Sequence, residues 1–114
     1  MIYGIGDRIL RMMPRATAIL HEKVIDEEGN ILELALWKVP VTPRSLAGLR
    51  YRLAFIRSGE AAPVVLYDNH PPKGHHRHVQ GAEQTYRFVD VDQLLSDFGT
   101  DVRRITGERK WPRR

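Results

Sequence analysis

No cysteine occurs in the chain. That excludes a disulfide framework and a thiolate zinc site, and it fits a reducing compartment. Long apolar runs are missing as well: no stretch approaches the roughly 20 residues of a membrane-spanning helix. The opening segment MIYGIGDRILRMMP carries Asp7, Arg8 and Arg11 where a secretory leader needs unbroken apolar sequence. The expectation is a cytoplasmic protein with no membrane contact. Repeats, low-complexity tracts and linkers are also lacking, so 114 residues should form a single domain around one modest core. The net charge of +4 is local. From Arg103 onward there are six basic residues against Glu108, so that stretch is +5 and residues 1–102 carry −1. Residues 1–106 are read as the domain and 107–114 as a basic tail, either solvated or holding phosphates loosely.

What is present alternates in recognisable periods. The segment ATAILHEKVIDEEGNILELALWKV reads as a hairpin about the turn cluster DEEGN, with Leu32, Leu34 and Leu36 on one face. In LRYRLAFIR, Leu49, Tyr51, Leu53 and Phe55 share a face, and Arg50 and Arg52 point the other way. PVVLYD is the next strand and QTYRFV a short fifth. The segment after Val89 predicts a helix: Asp90 as N-cap, Gln93 completing a capping box, and an apolar stripe of Val91, Leu94, Leu95, Phe98, Val102 and Ile105. Gly99 should weaken, bend or end it. A short N-terminal helix is expected in IGDRILRMM. The sum is an α+β single domain: an antiparallel sheet of four to five strands with a C-terminal helix packed on one face. The opposite face should be partly polar, with Arg50, Arg52 and Tyr86 or Arg87.

The most unusual stretch is YDNHPPKGHHRH, residues 67–78, which holds four of the five histidines. As a metal site, His75, His76 and His78 supply imidazoles and Asp68 a carboxylate. Against that, adjacent His75 and His76 diverge, and no fixed-spacing zinc motif is present. As an acid–base site on RNA, histidines serve as base and acid near neutral pH, and Lys or Arg neutralises charge gathering on phosphorus. Tyr67 or Tyr86 would stack on a base. As plain structure, DNHPPKG has the residues of a turn. Residue types alone leave all three open. His21 reads as an ordinary strand residue.

The run RYRLAFIRSGEAAPVVLYDNHPPKGHHRHV resembles the TumE family of bacterial toxin–antitoxin systems. There an Arg-Tyr-Arg strand and a hairpin lead to a strand ending in Tyr/Trp-Asp-Asn, followed by a His-His-basic-His tetrad. Here those elements are Arg50, Tyr51 and Arg52; Tyr67, Asp68 and Asn69; and His75, His76, Arg77 and His78. The resemblance covers most of residues 15–100, with its specific motifs in 50–78. The intervening HPPKG is shorter than in many relatives, so the tetrad carries over and His70 does not.

The resemblance implies a small cytosolic toxin paired with a helix-turn-helix antitoxin. Ribonuclease activity follows by analogy with other small toxins. The expected site then has His75, His76, Arg77 and His78 as catalytic residues. Arg50, Arg52, Lys73, Tyr67 and Tyr86 would bind substrate, and Asp68 and Asn69 would orient a histidine. Neither metal nor cofactor is expected. The partners are the antitoxin and RNA, with homo-oligomerisation left open. The competing readings are a non-catalytic module binding antitoxin or nucleotide, and a metal-dependent hydrolase.

Overall fold

The computed structural model describes residues 17–43 and 45–107. The strands are β1 (Thr17–Ile25), β2 (Ile31–Lys38), β3 (Leu49–Ile56), β4 (Val65–Asp68), β5 (His76–Val79) and β6 (Ala82–Thr85), followed by helix α1 (Val91–Thr106). All strands pair with their sequence neighbours in antiparallel fashion, giving one six-stranded meander in the order β1 to β6. The expected sheet of four to five strands is thus one or two strands short. The histidine tetrad does not merely follow a strand; most of it is β5. Of QTYRFV, only Gln84 and Thr85 belong to β6. The expected N-terminal helix and residues 108–114 lie outside the described residues.

The core follows from the period-two pattern. Leu49, Tyr51, Leu53 and Phe55 of β3 are all buried, as are Leu32 and Leu36 of β2 and Val65 and Tyr67 of β4. Their backbone partners alternate strictly, so this apolar set falls on one face of the sheet. Helix α1 covers that face with Leu94, Phe98 and Val102, each fully buried. Phe98 meets the Tyr67 ring edge-on at 5.6 Å.

Asp90 caps α1 by accepting from the Gln93 backbone N–H at 2.8 Å. The reciprocal half of the capping box is not formed; the Gln93 side chain instead donates to Asp97 Oδ1 at 2.7 Å. Gly99 does not end the helix. It is buried within it, and the end comes at Gly107, whose φ of 79° turns the chain while its N–H donates to the Arg103 carbonyl.

Candidate active site

Residues paired directly across antiparallel strands project to the same face. Arg52 pairs with Asp68, and Asp68 with His76. These three therefore form one row across β3, β4 and β5, on the face turned away from α1. His78 lies two positions along β5 on that face, paired with Glu83 of β6. Arg50, Glu33 and Trp37 share the same face through the β2–β3 register.

Within the row, Asp68 Oδ1 accepts from the His70 backbone N–H at 2.8 Å and lies 3.6 Å from His76 Nε2. His76 Nδ1 is 2.9 Å from the Gly74 carbonyl oxygen. A carbonyl only accepts, so Nδ1 carries a proton, and in the neutral ring the lone pair sits on Nε2. The His76 and His78 rings approach to 5.2 Å between centroids. His78 Nε2 is 3.9 Å from Glu83 Oε1, and Lys73 Nζ donates to Glu83 Oε2 at 2.7 Å. Arg52 pairs with Glu33 at 3.2 Å and is about half exposed. Arg50 Nη1 is 3.4 Å from His70 Nδ1. Asn69 braces the strand end, donating to the Leu49 carbonyl and accepting from the Tyr51 N–H.

The same alternation sends other expected site residues to the opposite face. His75 stacks on Phe88 at 5.1 Å, and its Nδ1 lies 2.9 Å from the Tyr51 hydroxyl oxygen. Burial lowers its pKa and favours the neutral ring. It lines a cavity of about 620 Å³ with Ser45, Leu49, Asn69, Pro71 and Pro72. Arg77 is drawn into the helix interface, donating to the Tyr67 hydroxyl at 2.9 Å, to Asp101 Oδ2 at 3.2 Å and to Gln84. Tyr67 is fully buried and donates to Asp101 at 2.5 Å. Tyr86 packs against it and donates to Asp97 at 2.6 Å, so it belongs to the core side and not to the polar face. Neither tyrosine presents a ring to the row of Arg52, Asp68 and His76.

The structure thus brings His76, His78, Asp68, Arg50 and Arg52 together on one face, with Lys73 joined through Glu83. It separates His75, Arg77, Tyr67 and Tyr86 from them. The family model for Toxin TumE matches residues 10–106. The chain belongs to this toxin family. Searches of curated proteins and of solved structures found no match. Membership in a TumE toxin family implies an antitoxin partner. Among the described residues no helix is long and apolar enough to cross a membrane.

Two charged residues that pair with the expected site residues of this TumE-family chain are absent from the expected set. Glu83 was legible in principle: counting outward from Gln80–Gly81 pairs Val79 with Ala82 and His78 with Glu83, as observed. Asp101 was legible too. It falls three residues after Phe98 and four before Ile105, inside the apolar stripe, where an unpaired acid is not tolerated.

Proposed function

We propose that the chain is a toxin that cleaves RNA by metal-independent acid–base catalysis on the face turned away from α1. The observation that carries this reading is the row of Arg52, Asp68 and His76, with His78 beside it. His76 is the base: its Nδ1 proton is tied to Gly74, which leaves the Nε2 lone pair to take the proton of a 2′-hydroxyl. Asp68, 3.6 Å away, stabilises the imidazolium that results. His78, beside the Glu83 carboxylate, is the acid that returns a proton to the leaving 5′-oxygen. Arg52 and Arg50 hold the phosphate and offset the charge that grows on it in the transition state. Lys73 extends the cationic rim. An RNA strand fits such a surface through its backbone, without requiring base recognition.

Arg77 is an anchor in this scheme, not a proton carrier, and His75 supports the base of the β4–β5 loop from the far side. The antitoxin, of helix-turn-helix type as the resemblance implies, would neutralise the toxin by covering this face. Finding a helix-turn-helix protein encoded beside this chain would be the simplest support for that pairing.

The test is cleavage of total RNA by purified protein with and without chelator, together with growth inhibition on induced expression. Cleavage that survives the chelator and disappears in His78→Ala supports the reading. Cleavage lost with the chelator points to a metal-dependent hydrolase. A folded protein that inhibits growth without touching RNA points to a binding module.

A further inference from the structure

The same hairpin that presents the two histidines holds a third ligand. One donor atom each from His76, His78 and Glu83 lies within 4.8 Å of the others. All three sit on paired strands β5 and β6. The Gln80–Gly81 turn between the strands has φ of 50° and 87°, matching the tight two-residue hairpin that locks strand register. Donors on such a ribbon are held in place before any ion arrives.

A second, independent observation points to a cation. His76 Nδ1 donates to the Gly74 carbonyl, which leaves Nε2 of the neutral ring as the atom with a lone pair to offer. That is the outer-shell arrangement of a metal-ligating histidine, in which a backbone carbonyl fixes the tautomer. Asp68 Oδ1, held by the His70 N–H, lies 3.6 Å from Nε2 and adds negative charge beside that donor atom. Glu83 is prepared in the same way: Lys73 holds Oε2 at 2.7 Å, which turns Oε1 toward His78.

We infer that His76, His78 and Glu83 form a site for a borderline transition-metal cation, zinc in the first instance, and that filling it silences the acid–base chemistry. Two imidazoles and one carboxylate select zinc, nickel or copper over magnesium and calcium, which prefer all-oxygen shells. Silencing follows because metal and proton compete for the same nitrogens. A His76 whose lone pair is on zinc cannot accept a proton, and a coordinated His78 cannot deliver one. This second half rests on the ribonuclease reading above; the binding half does not.

The experiment is a zinc titration of tag-free protein by competition with a chromophoric chelator, followed by RNA cleavage across the same zinc range. We expect one equivalent bound. Affinity should fall at least about tenfold in His76→Ala, in His78→Ala and in Glu83→Gln, the scale on which even outer-shell losses register. Glu83 is exposed, so Glu83→Gln isolates coordination from folding. His21→Ala should bind as wild type does, and magnesium should not compete. Cobalt should give visible ligand-field absorption that the same three variants lose. Cleavage should fall with half-saturation equal to that of binding. Absence of tight binding, or binding indifferent to all three substitutions, overturns the site. Zinc bound there with cleavage unchanged or raised overturns the silencing. A protein that never cleaves RNA defeats the ribonuclease reading alone, because the chelator titration still decides the site.

Discussion

Arg77 and its neighbours differ in role because of a one-residue alternation. His76 and His78 point to the polar face of β5, and Arg77 between them points into the helix interface. Its partner Asp101 is buried at 3% exposure and is also held by Tyr67 and by Arg104 at 2.9 Å. Arg77→Ala should therefore cost about 1.5–3 kcal/mol, the range for a hydrogen bond to a charged group. In a domain of this size that is a melting shift on the order of 10 °C. Any loss of toxicity should follow the loss of folded protein and return at lower temperature. A variant with wild-type melting but no activity would put Arg77 back among the catalytic groups. The tetrad was legible as a cluster, and period two separates His75 from His76 and His78 wherever the segment is extended; the turn of Arg77 into the helix interface was not legible. Strand phase depends on where pairing begins, and the sequence segment reads equally as a turn.

At the level of elements, the long periodic segments were readable and the short ones were not. Helix α1 and strand β3 each repeat their apolar period several times, and both stand where the pattern places them. Strand β6, Ala82–Thr85, has four exposed residues and no apolar face, so nothing in its composition marks it as a strand. Its only signal is the Gln-Gly turn. Phe98→Ala should cost about 3–5 kcal/mol, because the ring is fully buried against Tyr67. Unchanged melting of that variant would mean α1 does not cover the core. Gly81→Val is the complementary probe. Its φ of 87° strains a branched residue, although an added Cβ would touch nothing within 4 Å. The expected cost is about 1–2 kcal/mol, from the backbone alone. RNA cleavage should fall by more than that loss of folded protein explains, since the ribbon carrying His78 would loosen. Equal activity per folded molecule would show that the turn does not hold the site.

For the whole molecule, the core itself carries a pH signature. Tyr51, Tyr67 and Tyr86 all have hydroxyls pushed well above the usual phenol range. Burial is the first cause in each, and is reinforced by Asp68, Asp101 and Asp97 respectively. Groups raised in the folded state bind protons more tightly there than in the unfolded chain. Their contribution is complete below the unfolded value of about 10 and is lost as pH rises beyond it. Thermal melts should thus fall steeply above about pH 10, and Tyr86→Phe should blunt the fall. A flat profile to pH 11.5 would mean these hydroxyls reach solvent.

The α+β class and the covered face were legible from periodicity. The six-stranded extent was not, because β5 falls on the histidine segment, which reads as a turn, and β6 is short and exposed. The central claim is that His76 and His78 handle protons for RNA cleavage. Its most direct measurement is the single-turnover cleavage rate of His78→Ala, taken in chelator at equal folded concentration. His78 is partly exposed and makes no buried hydrogen bond, so its loss should leave the melting temperature within a few degrees. The expected rate is about a hundredfold or more below wild type. A folded His78→Ala protein that cleaves at the wild-type rate would contradict it.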